Sequence, residues 1–323
     1  MEYTKLNQVL AEKGIISEEQ ATKISTYEKE KPFSVHWELR TLLYVGITFL
    51  GAGLGVVIYK NIDSIGHNVL IGLIILVFLG CLYYAYKHRK PFTWEEVVAS
   101  VKLDDFALLG ACVTFLTLEG YLQYQYNVFG TRYGLAAFLP AVLFFFLAYR
   151  FDHRGVLSMA ITALSSWVGV NIAPIKLWQQ KNFSTQDITH IALLLGVFLV
   201  VIGWISYRQN RKKHFSFTYF IFGGNIAFVA ALAALFQFDL KLIYLLIIGV
   251  FSFVAIRYAR SEQSYLFLLM GVIYGYAAVT YSIFQWQPLS DLDFVIYMFY
   301  FMATAVGIVL FLVNIKQIIG LRK

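Results

Sequence analysis

Ten nearly unbroken apolar stretches follow one another along the chain, at about 41–59, 68–86, 106–124, 133–149, 155–172, 188–207, 216–236, 241–257, 264–284 and 293–314. Polar intervals separate them. A helix needs ~20 largely apolar residues to cross ~30 Å of hydrocarbon, and it satisfies its own backbone hydrogen bonds in lipid. The strict alternation of a membrane β-barrel is missing. The pattern therefore predicts an all-α integral membrane protein. About ten transmembrane helices fill residues 40–314, a small helical hairpin occupies 1–39, and 315–323 form a tail.

Two polar intervals carry helical signals of their own. In the N-terminal segment, Leu6, Val9 and Leu10 recur at helical spacing and Gly14 supplies a stop. Ser17 and Gln20 then form a capping-box pattern, and Pro32 closes the second helix. Such a hairpin either docks a membrane-protein partner or covers the inner mouth of the bundle. Between the second and third spans, Thr93 and Glu96 give another capping box. Trp94, Val97, Val98 and Val101 form one apolar stripe behind it. This interval reads as a short helix at the membrane surface.

Composition agrees with the pattern. The chain has 323 residues, 59% hydrophobic and 14% charged, with a net charge of +7, and its mean hydropathy is +0.66. Such numbers exclude both a soluble domain and a disordered chain. The basic balance follows the topology rather than a nucleic acid. The intervals before span 1 and after spans 2, 4, 6, 8 and 10 hold 6, 4, 2, 4, 2 and 3 Lys and Arg, 21 of the 26 present. Lys and Arg collect on the cytoplasmic side, so both termini are expected there. The first span then acts as an uncleaved targeting signal.

A resemblance supports this placement. Leu10-Ala11-Glu12-Lys13-Gly14-Ile15-Ile16-Ser17-Glu18-Glu19-Gln20, a glycine-rich first span followed by Asn61-Ile62-Asp63, and Gln125-Tyr126-Asn127 together resemble the bacterial predicted membrane proteins of domain of unknown function 2157. The likeness covers roughly the first half of the chain. It implies a bacterial inner (cytoplasmic) membrane and supplies no activity.

Candidate chemistry is sparse. Glu119 is the only carboxylate placed well inside a span, and intramembrane ionisable residues are functional candidates. By topology Arg132 and His190 fall near the same outer boundary, with Tyr121 and Gln125 beside Glu119. Asn171 in span 5 and Asn225 in span 7 are polar enough to line a cavity or to join helices. These seven form the candidate polar cavity. Against it stands the plainer reading, in which Glu119 pairs with Arg132 or a tyrosine and the asparagines hold helices together. Gly51 and Gly55, Gly223 and Ala227, and Gly271 and Gly275 recur every four residues, the spacing of closely packed membrane helices. Pro140, near the middle of span 4, is expected to kink it.

No motif for a metal, haem, nucleotide or other cofactor is present, and no catalytic constellation either. Three functions fit these features. The first is a transporter- or channel-like protein for a small neutral or lipidic substrate. The second is a non-catalytic assembly or stabilising subunit of a membrane or envelope complex. An intramembrane enzyme on lipid-linked substrates ranks last, because it would rest on Glu119, Arg132 and His190 alone.

Overall fold

A computed structural model describes residues 16–30, 66–96, 102–130, 132–172, 185–286 and 293–320, together with positions 42, 45, 49, 53, 56 and 60. The chain divides into two units, Met1–Leu70 and Ile71–Lys323. Among the described residues every regular element is a helix.

In the first unit, helix α1 spans Glu18–Glu30. Its start follows from the Ser-x-x-Gln pattern. The Gln20 amide donates to Ser17 Oγ at 3.2 Å, and the Ser17 amide donates back to Gln20 Oε1 at 3.0 Å. Two of the otherwise orphaned amides are thereby satisfied. The other half of the expected hairpin, around Leu6 to Gly14, lies outside the described residues, as does Pro32. So does most of the expected first span, of which Leu42, Val45, Phe49, Gly53, Val56 and Lys60 are described and helical.

Among the described residues nine further helices are delimited: α2 (His67–Lys87), α3 (Lys102–Tyr126), α4 (Tyr133–Phe151), α5 (Arg154–Ile172), α6 (Thr185–Arg208), α7 (Phe215–Gln237), α8 (Lys241–Ser261), α9 (Tyr265–Trp286) and α10 (Asp293–Ile319). Eight of these are long and apolar enough to cross a membrane; α5 is the shorter, with an apolar stretch of Arg154–Val170. At ~1.5 Å per residue that stretch is near the lower limit for a span. Pro140 does not interrupt α4, which runs as one helix through it.

Consecutive helices pair in the order α4 with α5, α6 with α7, and α8 with α9, while α7 also touches α5, α8 and α9. Short turns enforce this. Between α4 and α5 only Asp152 and His153 intervene, and Asp152 takes a left-handed φ of 58° while its amide caps Ala148 O. The α6–α7 and α8–α9 turns likewise use left-handed residues, Asn210, Lys212 and Gln263. One buried cluster joins Leu108 and Cys112 of α3, Phe144 and Leu147 of α4, and Leu157 and Ile161 of α5. A second joins Phe228 and Leu235 of α7 to Ile248 of α8 and Ala278 of α9.

The surface helix expected from Thr93 does not begin there. Residues 93–96 are not helical, with a bend at 94 and 95. Thr93 Oγ1 donates to Glu95 O, Glu96 pairs with Arg154, and the Trp94 carbonyl accepts from the Lys212 amide. Partners from distant turns displace the local cap. Residues 97–101 lie outside the described set.

Candidate functional site

Helix α3 presents a buried stripe at alternating intervals of four and three residues: Leu108, Cys112, Phe115 and Glu119. Phe115 meets the edge of Phe144 on α4, with ring centroids 6.1 Å apart, and Phe78 on α2 at 5.7 Å. One turn further on, Glu119 continues the stripe and is only 7% exposed. Among the described residues its Oε1 is buried without a hydrogen-bond partner. A carboxylate on the inward face of a spanning helix is costly to ionise unless a proton, cation or donor meets it.

Of the other residues of the expected cavity, His190 and Asn225 bond to partners on α8 and α9. Tyr121 is half-buried, whereas Gln125 and Arg132 are exposed. Among the described residues Arg132 makes no ion pair with Glu119. The glutamine that organises the turn after α3 is Gln123: its Oε1 accepts from the Phe129 amide and its Nε2 donates to Asn127 Oδ1, each at 2.9 Å. His190 is exposed, with Nε2 2.9 Å from Tyr244 Oη and its ring stacked on Phe238. Asn225 accepts from Tyr274 Oη at 2.9 Å and donates to Ile221 O at 2.8 Å, so it bridges α7 and α9. The side chain of Asn171 lies outside the described residues.

Gly223 and Ala227 lie where α7 meets Gly196 of α6. Gly271 and Gly275 face Ser252 of α8. Gly51 and Gly55 are outside the described residues.

A second concentration of polar groups gathers where the Lys- and Arg-rich turns meet. Asp152 Oδ1 lies 2.8 Å from Lys212 Nζ and 2.6 Å from His214 Nε2, and all three side chains are almost fully buried. The left-handed backbone of Lys212 is fixed by its amide, which donates to Trp94 O at 2.7 Å. Next to Asp152, His153 caps α5: the Val156 amide donates to His153 Nδ1 at 3.1 Å. Burial lowers the pKa of His153 below the ordinary histidine value of 6.5, against the opposing pull of Asp105. Arg154 pairs with Glu96 at 2.6 Å. Beside this cluster opens a cleft of about 70 Å³, with Arg89, Lys90, Phe92, Asp105, Arg150 and Lys212 in its walls.

Sequence reasoning used these basic residues only to assign sides. The available signal was the mixed charge of two short turns, Arg150-Phe151-Asp152-His153-Arg154 and Arg211-Lys212-Lys213-His214. An acid inside an otherwise basic turn requires a partner, and the neighbouring turn supplies it. Among the described residues no three His, Cys, Asp or Glu side chains form a group that could hold a metal ion.

Residues 8–157 match the family model described as predicted membrane protein (DUF2157). Neither a curated protein nor a solved structure matches the chain.

Proposed function

We propose that this chain, a membrane protein with a DUF2157 region over residues 8–157, is a transporter-like protein of a bacterial inner membrane, with both termini cytoplasmic. Its cargo is a small neutral or lipidic molecule, and Glu119 is the group that exchanges a proton during transport. The observation that carries this reading is the burial of Glu119 on the inward stripe of α3, with Oε1 lacking a hydrogen-bond partner among the described residues. A group in that position is stable while protonated and demands a new partner when it loses the proton. A rearrangement of α3 against α4 and α5 would supply one. Pro140 adds to this, because it removes an amide donor in the middle of α4 and weakens that helix locally.

The test uses proteoliposomes loaded with a pH-sensitive dye, under an inward proton gradient, challenged with a panel of small neutral solutes and short-chain lipids. Wild type acidifies the lumen when its cargo is added, and Glu119→Gln does not, at equal incorporation. Equal acidification by both, or none with any compound, counts against the reading.

A second reading is the non-catalytic assembly or stabilising subunit. It is favoured by hydrogen bonds between helices: Tyr149 to Tyr219 at 3.0 Å, Thr280 to Tyr300 at 2.7 Å, and Tyr276 to Thr304 at 3.2 Å. Helices cross-linked in this way suit a scaffold. Purification in mild detergent then yields a stoichiometric membrane partner, held through the N-terminal hairpin, and removal of residues 1–39 releases it. The enzyme reading is the weakest, since His190 bonds to Tyr244 on α8 and, among the described residues, Arg132 makes no ion pair with Glu119.

A further inference from the structure

The basic run Lys87-His88-Arg89-Lys90, taken alone, is a topology signal. The structure adds a second element to it. Arg150, at the end of α4, is half-buried and sends one N–H to the Lys90 carbonyl at 3.3 Å. A guanidinium carries five N–H donors, and this long bond, the one Arg150 makes among the described residues, leaves most of them for another acceptor. Arg89 is held over the Tyr86 ring at 3.6 Å. Arg89, Lys90 and Arg150 all line the cleft.

Among the described residues the walls carry Arg89, Lys90, Arg150 and Lys212 against Asp105 and Asp152, so cations outnumber carboxylates. Asp152 is shared between Lys212 and His214. The cleft also sits at the ends of α2 and α4, both long and apolar enough to span, which is the headgroup level. Tyr86, Phe92 and Trp94 are exposed around it, as aromatic residues at that level commonly are.

We propose that the cleft bounded by Arg89, Lys90 and Arg150 binds a phosphate group, of the kind an anionic phospholipid carries at the membrane surface. Arg150 supplies directed N–H donors to the phosphate oxygens, and Arg89 and Lys90 supply charge. Basic pockets between spanning helices hold lipid headgroups in this way. The inference rests on this cleft alone, so transport through Glu119 can fail without touching it.

The full chain in detergent is titrated with phosphatidylglycerol and with phosphatidylcholine, read by native mass spectrometry, and with inorganic phosphate, read by calorimetry. Wild type is expected to prefer phosphatidylglycerol by about tenfold or more, a preference that shrinks as salt rises. Arg150→Gln and the double variant Arg89→Gln/Lys90→Gln should each weaken phosphatidylglycerol about fivefold or more. Lys241→Gln, which starts α8 and is outside the cleft, should leave it unchanged. Inorganic phosphate that binds wild type and is lost in the same variants, without a lipid preference, assigns the site to free phosphate. Equal retention of the two lipids with no phosphate binding overturns the proposal, as does undiminished affinity in the variants. Should Arg150→Gln fail to fold, the exposed Arg89/Lys90 pair and the wild-type salt series decide.

Discussion

Lys212 Nζ lies 2.8 Å from Asp152 Oδ1, with the two side chains 1% and 4% exposed, although they are 60 positions apart in the chain. The contact ties the α6–α7 turn to the α4–α5 turn. His214 adds a second bond to the same oxygen at 2.6 Å. Removing one partner of a buried pair strands the other charge and costs about 3–5 kcal/mol, whereas removing both costs far less. Lys212→Met should therefore lower the melting temperature in detergent sharply. Asp152→Asn/Lys212→Met should recover much of the loss, since Asn tolerates the left-handed backbone at 152. A double variant that melts below the single one would show that the pair is not the source of the effect.

His153 caps α5 only while Nδ1 is unprotonated and accepts from the Val156 amide. Burial already lowers its pKa from 6.5 in the folded protein, and Asp105 opposes the shift. Between that lowered value and the ordinary one, the unfolded chain binds more protons, so stability rises with pH. The contribution is complete above the ordinary value and is lost as pH falls through the folded one. Melting temperatures measured from pH ~8 down to ~5 should fall, and His153→Asn, which keeps a capping side chain, should flatten the acid limb. An identical slope in the variant would rule His153 out as its source.

The helices from α2 onward follow from apolar runs alone, because a spanning helix is dictated by length and hydropathy more than by partners. Glu119 was legible for the same reason, as a carboxylate in an apolar run. Which groups meet across the bundle was not legible. Counting Lys and Arg per turn assigns a side of the membrane and says nothing of Asp152 reaching Lys212. Arg132 was matched to Glu119 by depth, but the Gln123-organised turn intervenes, with Asn127 at a φ of 48°. The Thr93 cap failed for a related reason: local capping is worth about 1 kcal/mol, and Arg154 and Lys212 offered Glu96 and Trp94 stronger partners.

Asn225 and Tyr274 join α7 to α9 by a 2.9 Å hydrogen bond beside a stacked Phe228–Tyr274 pair. Hydrogen bonds between membrane helices average about 0.6 kcal/mol in double-mutant cycles. Asn225→Ala, Tyr274→Phe and the double variant should yield a coupling of that size in unfolding measurements. Tyr274→Phe should cost little by itself, since the ring stack survives. A coupling of zero would make Asn225 available for cargo and would strengthen the transporter reading.

Helices α6 and α7 approach closely at Gly196. A methyl group added at Gly196 would fall 2.5 Å from the Ala227 amide nitrogen and 2.8 Å from the Gly223 carbonyl, and backbone cannot swing aside as a side chain can. Gly196→Ala should therefore push the helices apart at an overpacking cost of about 1–3 kcal/mol. The proper control is Gly249→Ala on α8, where the added methyl meets nothing within 4 Å. There the change removes a poor helix former and should be neutral or stabilising by up to about 1 kcal/mol. Melting temperatures of the two variants should move in opposite directions or differ by several degrees. Equal shifts would mean that helix propensity, rather than the α6–α7 contact, sets the need for glycine at position 196.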